Sequence, residues 1–249
     1  SEPATATIFQ GVAGKRVFKI KGNVTLDGVT IKKGNATVNA ESLGHGGGIL
    51  VESGKVTLNR ILFSENHADG SGGALYLASG SCNVSWGMFY DNNATGDGGA
   101  VGSHADGGLL KFVNSHFKDN RSIGGNGGTG KLEAAGWEFF GCKFEGSIGG
   151  RIASSFRVDP NGFFKFCTFF EKDTRDIQEA STYIVESISK IIFEACLFDG
   201  PSADYFHLDD ATFTENLTSP LPDLTDVALP IHGLDLDGDG IEDEEWLYG

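Results

Sequence analysis

The stretch Val56-Thr-Leu-Asn-Arg-Ile-Leu-Phe63-Ser-Glu-Asn66 decides how the chain folds, because its pattern returns. An apolar residue, any residue, an apolar residue, two of any kind, a small apolar residue and one of any kind lead to a closing Phe. The same order appears in Val24-Thr-Leu-Asp-Gly-Val-Thr-Ile31, Cys82-Asn-Val-Ser-Trp-Gly-Met-Phe89 and Leu110-Lys-Phe-Val-Asn-Ser-His-Phe117. It returns in Trp137-Glu-Phe-Phe-Gly-Cys-Lys-Phe144 and Ile191-Ile-Phe-Glu-Ala-Cys-Leu-Phe198, with a shorter copy in Phe164-Lys-Phe-Cys-Thr-Phe169. The closing residues 31, 63, 89, 117, 144, 169 and 198 lie 32, 26, 28, 27, 25 and 29 apart.

Each copy follows a second short apolar strand and a turn, as in Ile49-Leu-Val-Glu-Ser-Gly-Lys55 and Tyr183-Ile-Val-Glu-Ser-Ile-Ser-Lys190. Short alternating apolar runs broken by Gly and Asn are strand and turn signals. No apolar stripe of helical period spans ten residues. A period near 27 with two or three short strands predicts one coil of a parallel β-helix. A single coil cannot bury its apolar edge, whereas coils stacked at ~4.8 Å place each Phe on the next. The chirality of parallel crossovers makes the coil right-handed. The expected fold is all-β, a right-handed parallel β-helix of about seven coils over residues 1–200. An extended acidic cap or arm over residues 201–249 is expected to follow it.

After the closing Phe, three coils read Phe63-Ser-Glu-Asn66, Phe89-Tyr-Asp-Asn92 and Phe117-Lys-Asp-Asn120. Glycine-led strands follow in Gly46-Gly-Gly-Ile49, Gly72-Gly-Ala-Leu75 and Gly98-Gly-Ala-Val101. This combination resembles the repeats of chlamydial polymorphic outer-membrane proteins, within the broad pectin-lyase-like β-helix group. The resemblance covers residues 40–125 closely and 126–200 loosely, and it implies a surface-exposed, adhesive or structural β-helix. Asn66, Asn92 and Asn120 are expected to stack as an internal ladder at one corner. Their neighbours Glu65, Asp91 and Asp119 read as a solvated corner.

The net charge is −15, and its distribution matters more than its size. No Lys or Arg follows Lys190, while residues 191–249 hold 15 carboxylates, so the first 190 residues are formally neutral. Such asymmetry marks an interaction or ion-binding tail and disfavours nucleic acid, whose phosphates need clustered cations. No apolar run reaches the ~18 residues of a membrane span. Within the tail, Asp235, Asp237, Asp239 and Asp243, with Gly240 at the sharp turn and the Ile241 carbonyl, have the spacing of an EF-hand-type calcium loop. This segment resembles the Asp-rich loops of EF-hand, dockerin and thrombospondin type 3 proteins. Trp246 stands where a bidentate Glu is usual, so Glu245 is the substitute ligand. Ca2+ is therefore the expected cofactor.

Six N-x-Ser/Thr sequons, at Asn23, Asn35, Asn83, Asn93, Asn120 and Asn216, predict a glycosylated secretory protein at the cell surface or outside the cell. Asn120 cannot both join an internal ladder and carry a glycan. Cys142, Cys167 and Cys196 share one repeat position, two residues before the closing Phe. Stacking puts neighbours within disulfide reach, so one bond between adjacent coils fits, and an inward ladder of free thiols fits equally. Cys82 stands apart.

No nucleophile elbow, zinc-protease or phosphate-loop motif occurs. Arg151, Arg157, Asp159, Asp173, Arg175 and Asp176 would be the charged groups of a polysaccharide lyase or hydrolase, and they read more simply as surface charge. His67, His104 and His116 are scattered. The expected function is a secreted structural or adhesive β-helix, a homo-oligomer or fibril protomer joined through calcium, with glycans as further partners. The alternative is a polysaccharide-active or glycan-binding β-helix.

Overall fold

The computed structural model describes residues 7–39, 42–150, 153–158, 162–170, 183–199, 206–214 and 217–218. Among them every strand pairing is parallel except the short hairpin of Val38–Asn39 with Ser42–Leu43, and no helix forms. The chain is a right-handed parallel β-helix. Each full coil carries four strand segments, illustrated by Ile49–Ser53, Lys55–Asn59, Leu62–Ser64 and His67–Ala68. The hairpin lies in the longest interval between closing residues, so the extra length is accommodated outside the coil.

The third segments form a nine-stranded sheet whose centre line is the closing position itself. Phe9, Ile31, Phe63, Phe89, Phe117, Phe144, Phe169, Phe198 and Thr218 stand on successive rungs. All seven closing residues expected from sequence occupy consecutive rungs, with one further rung at each end. The first and second segments form a 14-stranded sheet that joins through the long strand Tyr183–Glu194. The fourth segments form a five-stranded sheet from Asn35–Ala36 to Ile148–Gly149.

The parallel ladder continues past residue 200. Phe206–Thr214 pairs with Tyr183–Glu194, setting Phe206 beside Val185 and Phe213 beside Phe193. Leu217–Thr218 then pairs with Leu197–Asp199. This last rung has Thr218 where the others have an apolar closing residue, which hides it from a search keyed to Phe. The remaining arm lies outside the described residues, including Asp235, Asp237, Asp239, Ile241, Asp243 and Glu245 of the calcium-loop pattern.

Two aromatic columns fill the bore. Phe63, Phe89 and Phe117 stack at 4.8 and 4.5 Å, and the column continues through Phe144, Phe169 and Phe198. Phe112, Phe139, Phe164 and Phe193 form the second column at 4.8, 5.0 and 5.3 Å. Edge-to-face contacts cross between them, as Phe117 with Phe112 at 5.3 Å. Parallel pairing explains this geometry: rings one rung apart take offset-stacked contacts, and rings across the bore take the edge. The ladder also forbids side chains at some glycines. A Cβ on Gly73 would run into backbone of Gly99 and Asn93 in the next coil, so the second Gly of each Gly-Gly pair holds the coils at strand spacing.

Phe117 touches stacked neighbours on both sides and two rings across the bore. Phe117→Ala is expected to cost about 3–5 kcal/mol, the range for emptying a packed Phe site. Denaturant titration of both proteins measures it, and a cost under about 1 kcal/mol would show that the column does not support the coil.

Candidate functional site

Among the described residues, left-handed corners stand on both sides of the closing strand. Before it stand Gly28, Arg60, Trp86, Asn114, Gly141, Phe166 and Ala195, with φ between 47° and 65°. After it stand Lys33, Glu65, Asp91, Asp119 and Gly146, with φ between 49° and 61°. Glu65, Asp91 and Asp119 therefore occupy the left-handed residue of the bend just before the ladder Asn, and Gly146 takes the same place before Ser147. Asp tolerates this conformation better than most residues and Gly best of all.

The Asn ladder forms as expected, each side chain bonding to the coil before it and those of Asn66 and Asn92 also to the coil after. Asn92 Oδ1 accepts from the backbone N–H and Nδ2 of Asn66 at 3.1 and 2.9 Å. Asn92 Nδ2 donates to the Phe63 carbonyl and to Asn120 Oδ1. Asn120 repeats this toward Asn92 and donates to the Phe89 carbonyl at 2.8 Å. The ladder starts at the Gly34 N–H, which donates to Asn66 Oδ1, and Ser147 takes the next place after Asn120. Asn120 is fully buried, with its Nδ2 engaged in the ladder.

A second ladder occupies the other corner. Cys142, Cys167 and Cys196 are buried free thiols, the second of the two arrangements their spacing left open. Each Sγ faces the carbonyl two residues back and one in the preceding coil: Phe140 and Phe112, Lys165 and Phe139, Glu194 and Phe164, at 3.4–3.7 Å. Ser115 heads this ladder, donating to Val113 and accepting from Gly87 N. Sequence reading missed Ser115 because it sought cysteine alone, although Ser115 is also two residues before a closing Phe. Burial raises the Cys167 thiol well above its ordinary value and pushes Cys82 up to about 12, so both remain protonated.

The other sequons lie differently. Asn23 is exposed and its Oδ1 accepts from Lys55 N at 2.9 Å. Asn83 is half-buried within the strand Gly80–Ser85. Asn35 and Asn93 flank His67 on the short sheet, and Asn93 Oδ1 meets His67 Nδ1. Asn216 lies outside the described residues.

The outer surface carries charge in pairs. Lys111 meets Glu138 at 2.7 Å, Lys131 meets Asp97 and Glu133, and Arg60 meets Asp27 at 2.6 Å. On the nine-stranded sheet a compact network joins Tyr90, His116, Lys118, Lys143 and Glu145, which the sequence reading left scattered. Tyr90 Oη lies 3.3 Å from His116 Nδ1, and His116 Nε2 faces Glu145 at 3.4 Å. Lys143 and Lys118 approach the same carboxylate at 3.4 and 3.5 Å. Aligning the copies on their closing Phe exposes this network, because His116 and Lys143 both immediately precede it.

A shallow groove of about 430 Å³ opens on the other large sheet, lined by Leu109, Gly136, Trp137, Glu138, Phe163 and Ile192. Among the described residues no group of three or more His, Cys, Asp or Glu could hold a metal ion, and no helix is long and apolar enough to cross a membrane. Of the charged groups weighed for polysaccharide chemistry, Arg157 pairs in register with Lys131, and the other five lie outside the described residues.

The Chlamydia polymorphic membrane protein (Chlamydia_PMP) repeat matches residues 60–78. That span holds Arg60 of one corner, Phe63 of the ring column, Asn66 of the ladder and the Gly72-Gly73 pair. No curated protein and no solved structure matches the chain.

Acidity acts on the His116–Glu145 network in two steps. Burial is the main influence on His116 and holds its pKa below the ordinary 6.5. The unfolded chain thus binds that proton first, and stability falls as pH drops below 6.5. Glu145 is pulled down to about 2, chiefly by His116 and then by Lys143 and Lys118. Its stabilisation is present above the ordinary 4.5 and is lost as pH falls toward 2. The thermal midpoint should therefore decline in two limbs. His116→Gln should flatten the upper limb and Glu145→Gln the lower, and variant profiles parallel to the parent would refute the assignment.

Proposed function

We propose that the chain is a surface-exposed structural or adhesive β-helix protein, acting in a cell-surface or extracellular assembly. One observation carries this reading. The residues that define its polymorphic-membrane-protein-like repeat, Phe, Asn and the Gly pair, are committed to axial packing and hydrogen bonding inside the coil. The repeat thus builds a scaffold, and the outward positions are left to contact partners. N-glycans on outward sequons such as Asn23, and calcium at the Asp235–Glu245 loop bracing a junction between copies, are the finer parts of the proposal.

The second reading, a glycan-binding or polysaccharide-active β-helix, is favoured by the groove of Leu109, Gly136, Glu138 and Phe163. Its apolar wall beside a carboxylate is chemistry that suits a sugar ring. A panel of acidic and neutral polysaccharides tests both. The scaffold reading expects no new reducing or unsaturated ends after incubation with the protein, and binding of labelled protein to cell surfaces. Release of such ends would replace the scaffold with an enzyme.

A further inference from the structure

One outward face of the large sheet is laid out as a checkerboard. It belongs to the strands Gly107–Val113, Gly136–Phe140, Gly162–Lys165 and Tyr183–Glu194. Leu110, Phe112, Trp137, Phe139, Phe164, Ile191 and Phe193 of these strands are buried in the core. Alternation along a strand therefore sends their neighbours outward. Those neighbours form two rows in register: Lys111, Glu138, Phe163 and Ile192, and beside them Val113, Phe140, Lys165 and Glu194. Ion pairs fill two opposite corners, Lys111 with Glu138 at 2.7 Å and Lys165 with Glu194 at 2.5 Å. Apolar side chains fill the other two corners, so Phe140 and Phe163 lie on a diagonal between the ion pairs. Phe166 joins this patch, its ring in T-shaped contact with Phe140 at 5.2 Å and Lys165 Nζ 5.2 Å from its centre.

The properties of this face limit what it can hold. Its apolar groups are open to solvent, with Leu109, Phe140 and Phe166 accessible to 38%, 37% and 48%. The groove beside Glu138 and Phe163 has room where Gly136 and Gly162 carry no side chain. Exposed apolar groups gathered in one patch mark an interaction site. The four charges cancel in pairs, so the face gives no net attraction to a polymer of either sign. Each of its strands is also paired on both sides, so its backbone has no free edge to take up a peptide strand.

We propose that this face binds a neutral polysaccharide chain, laid along the diagonal of Phe140 and Phe163 with its hydroxyls turned to the two ion pairs. The inference rests on the glycan-binding reading of the groove and narrows it to a ligand class and to these residues. A sugar ring has an apolar C–H face and a polar rim. Its C–H bonds carry partial positive charge and match the negative face of an aromatic ring. At the rim, Glu138 and Glu194 accept from hydroxyls, while Lys111 and Lys165 donate to sugar oxygens, so the groups desolvated on binding are satisfied again. A uronic-acid polymer would meet the carboxylates of Glu138 and Glu194 with no unmatched cation to offset them. An extended peptide would cover the face with backbone amides that find no partner there.

Binding of the whole chain to beads coated with hydroxyethylcellulose, galactomannan or polygalacturonate tests this. A neutral polysaccharide should retain the parent and polygalacturonate should not. Retention should persist near 1 M salt, where charges are screened within about 3 Å. Phe140→Ala/Phe166→Ala should weaken binding about tenfold, since it removes two exposed rings and empties no core site. Phe166→Ala alone serves if the double variant does not fold by circular dichroism. Phe170→Ala, in the strand Thr168–Phe170 of the nine-stranded sheet, should bind as the parent does. Binding that favours polygalacturonate or ignores the ring changes overturns this face and leaves glycan binding elsewhere on the molecule. Retention by none of the three overturns both the face and the glycan-binding reading. Self-association of the parent that Phe140→Ala/Phe166→Ala abolishes would give the face to a second copy and overturn the glycan.

Discussion

A backbone that bends twice within a few residues leaves N–H and C=O groups at each bend that no strand partner can reach. Everything else in this molecule depends on satisfying those groups along the axis. Buried polar groups left unpaired cost about 1–3 kcal/mol each, so a coil with bare corners would not persist. At the corner after the closing strand, Asn66, Asn92 and Asn120 each supply a donor and an acceptor to the coil before, and Asn66 and Asn92 donate to the coil after. At the corner before it, Ser115 and three thiols serve the carbonyls. With the corners held, the rings have no freedom but to stack, and the bore fills with Phe.

The same logic decides what was legible in the sequence. Phe63, Phe89 and Phe117 announce the period because a stacked column demands one residue type at one interval. Asn66, Asn92 and Asn120 announce the corner because few other side chains can both donate and accept there. The rung of Phe206–Thr214 and Leu217–Thr218 escaped because Thr218 breaks the Phe signature while the backbone still pairs. The cysteines left two readings open, since a disulfide and a thiol ladder need the same interval. The carbonyls that the three Sγ atoms face are visible only in three dimensions.

The outer surface was less legible for a different reason. Inward positions repeat because each meets its own kind one rung away, but outward positions meet solvent and vary freely. The Tyr90–His116–Glu145 network and the groove beside Phe163 arise from residues of different types in different coils, so no residue type repeats to announce them. The sequons show the consequence of mixing both classes in one motif search. Asn23 is an outward residue, whereas Asn120 belongs to the interior ladder. A scaffold whose interior is set by repetition can change its outward face without loss of fold, which suits a protein that meets partners along its length.

The ladder is the central claim, and amide hydrogen exchange of the parent and Asn92→Ala tests it most directly. Removing Asn92 leaves the Asn66 N–H without its acceptor and the Phe63 carbonyl without its donor. The account predicts loss of protection at Asn66 and at the neighbouring coils on both sides, with stability lowered by about 3 kcal/mol or more. Protection lost at residue 92 alone, with stability changed by less than about 1 kcal/mol, would contradict it.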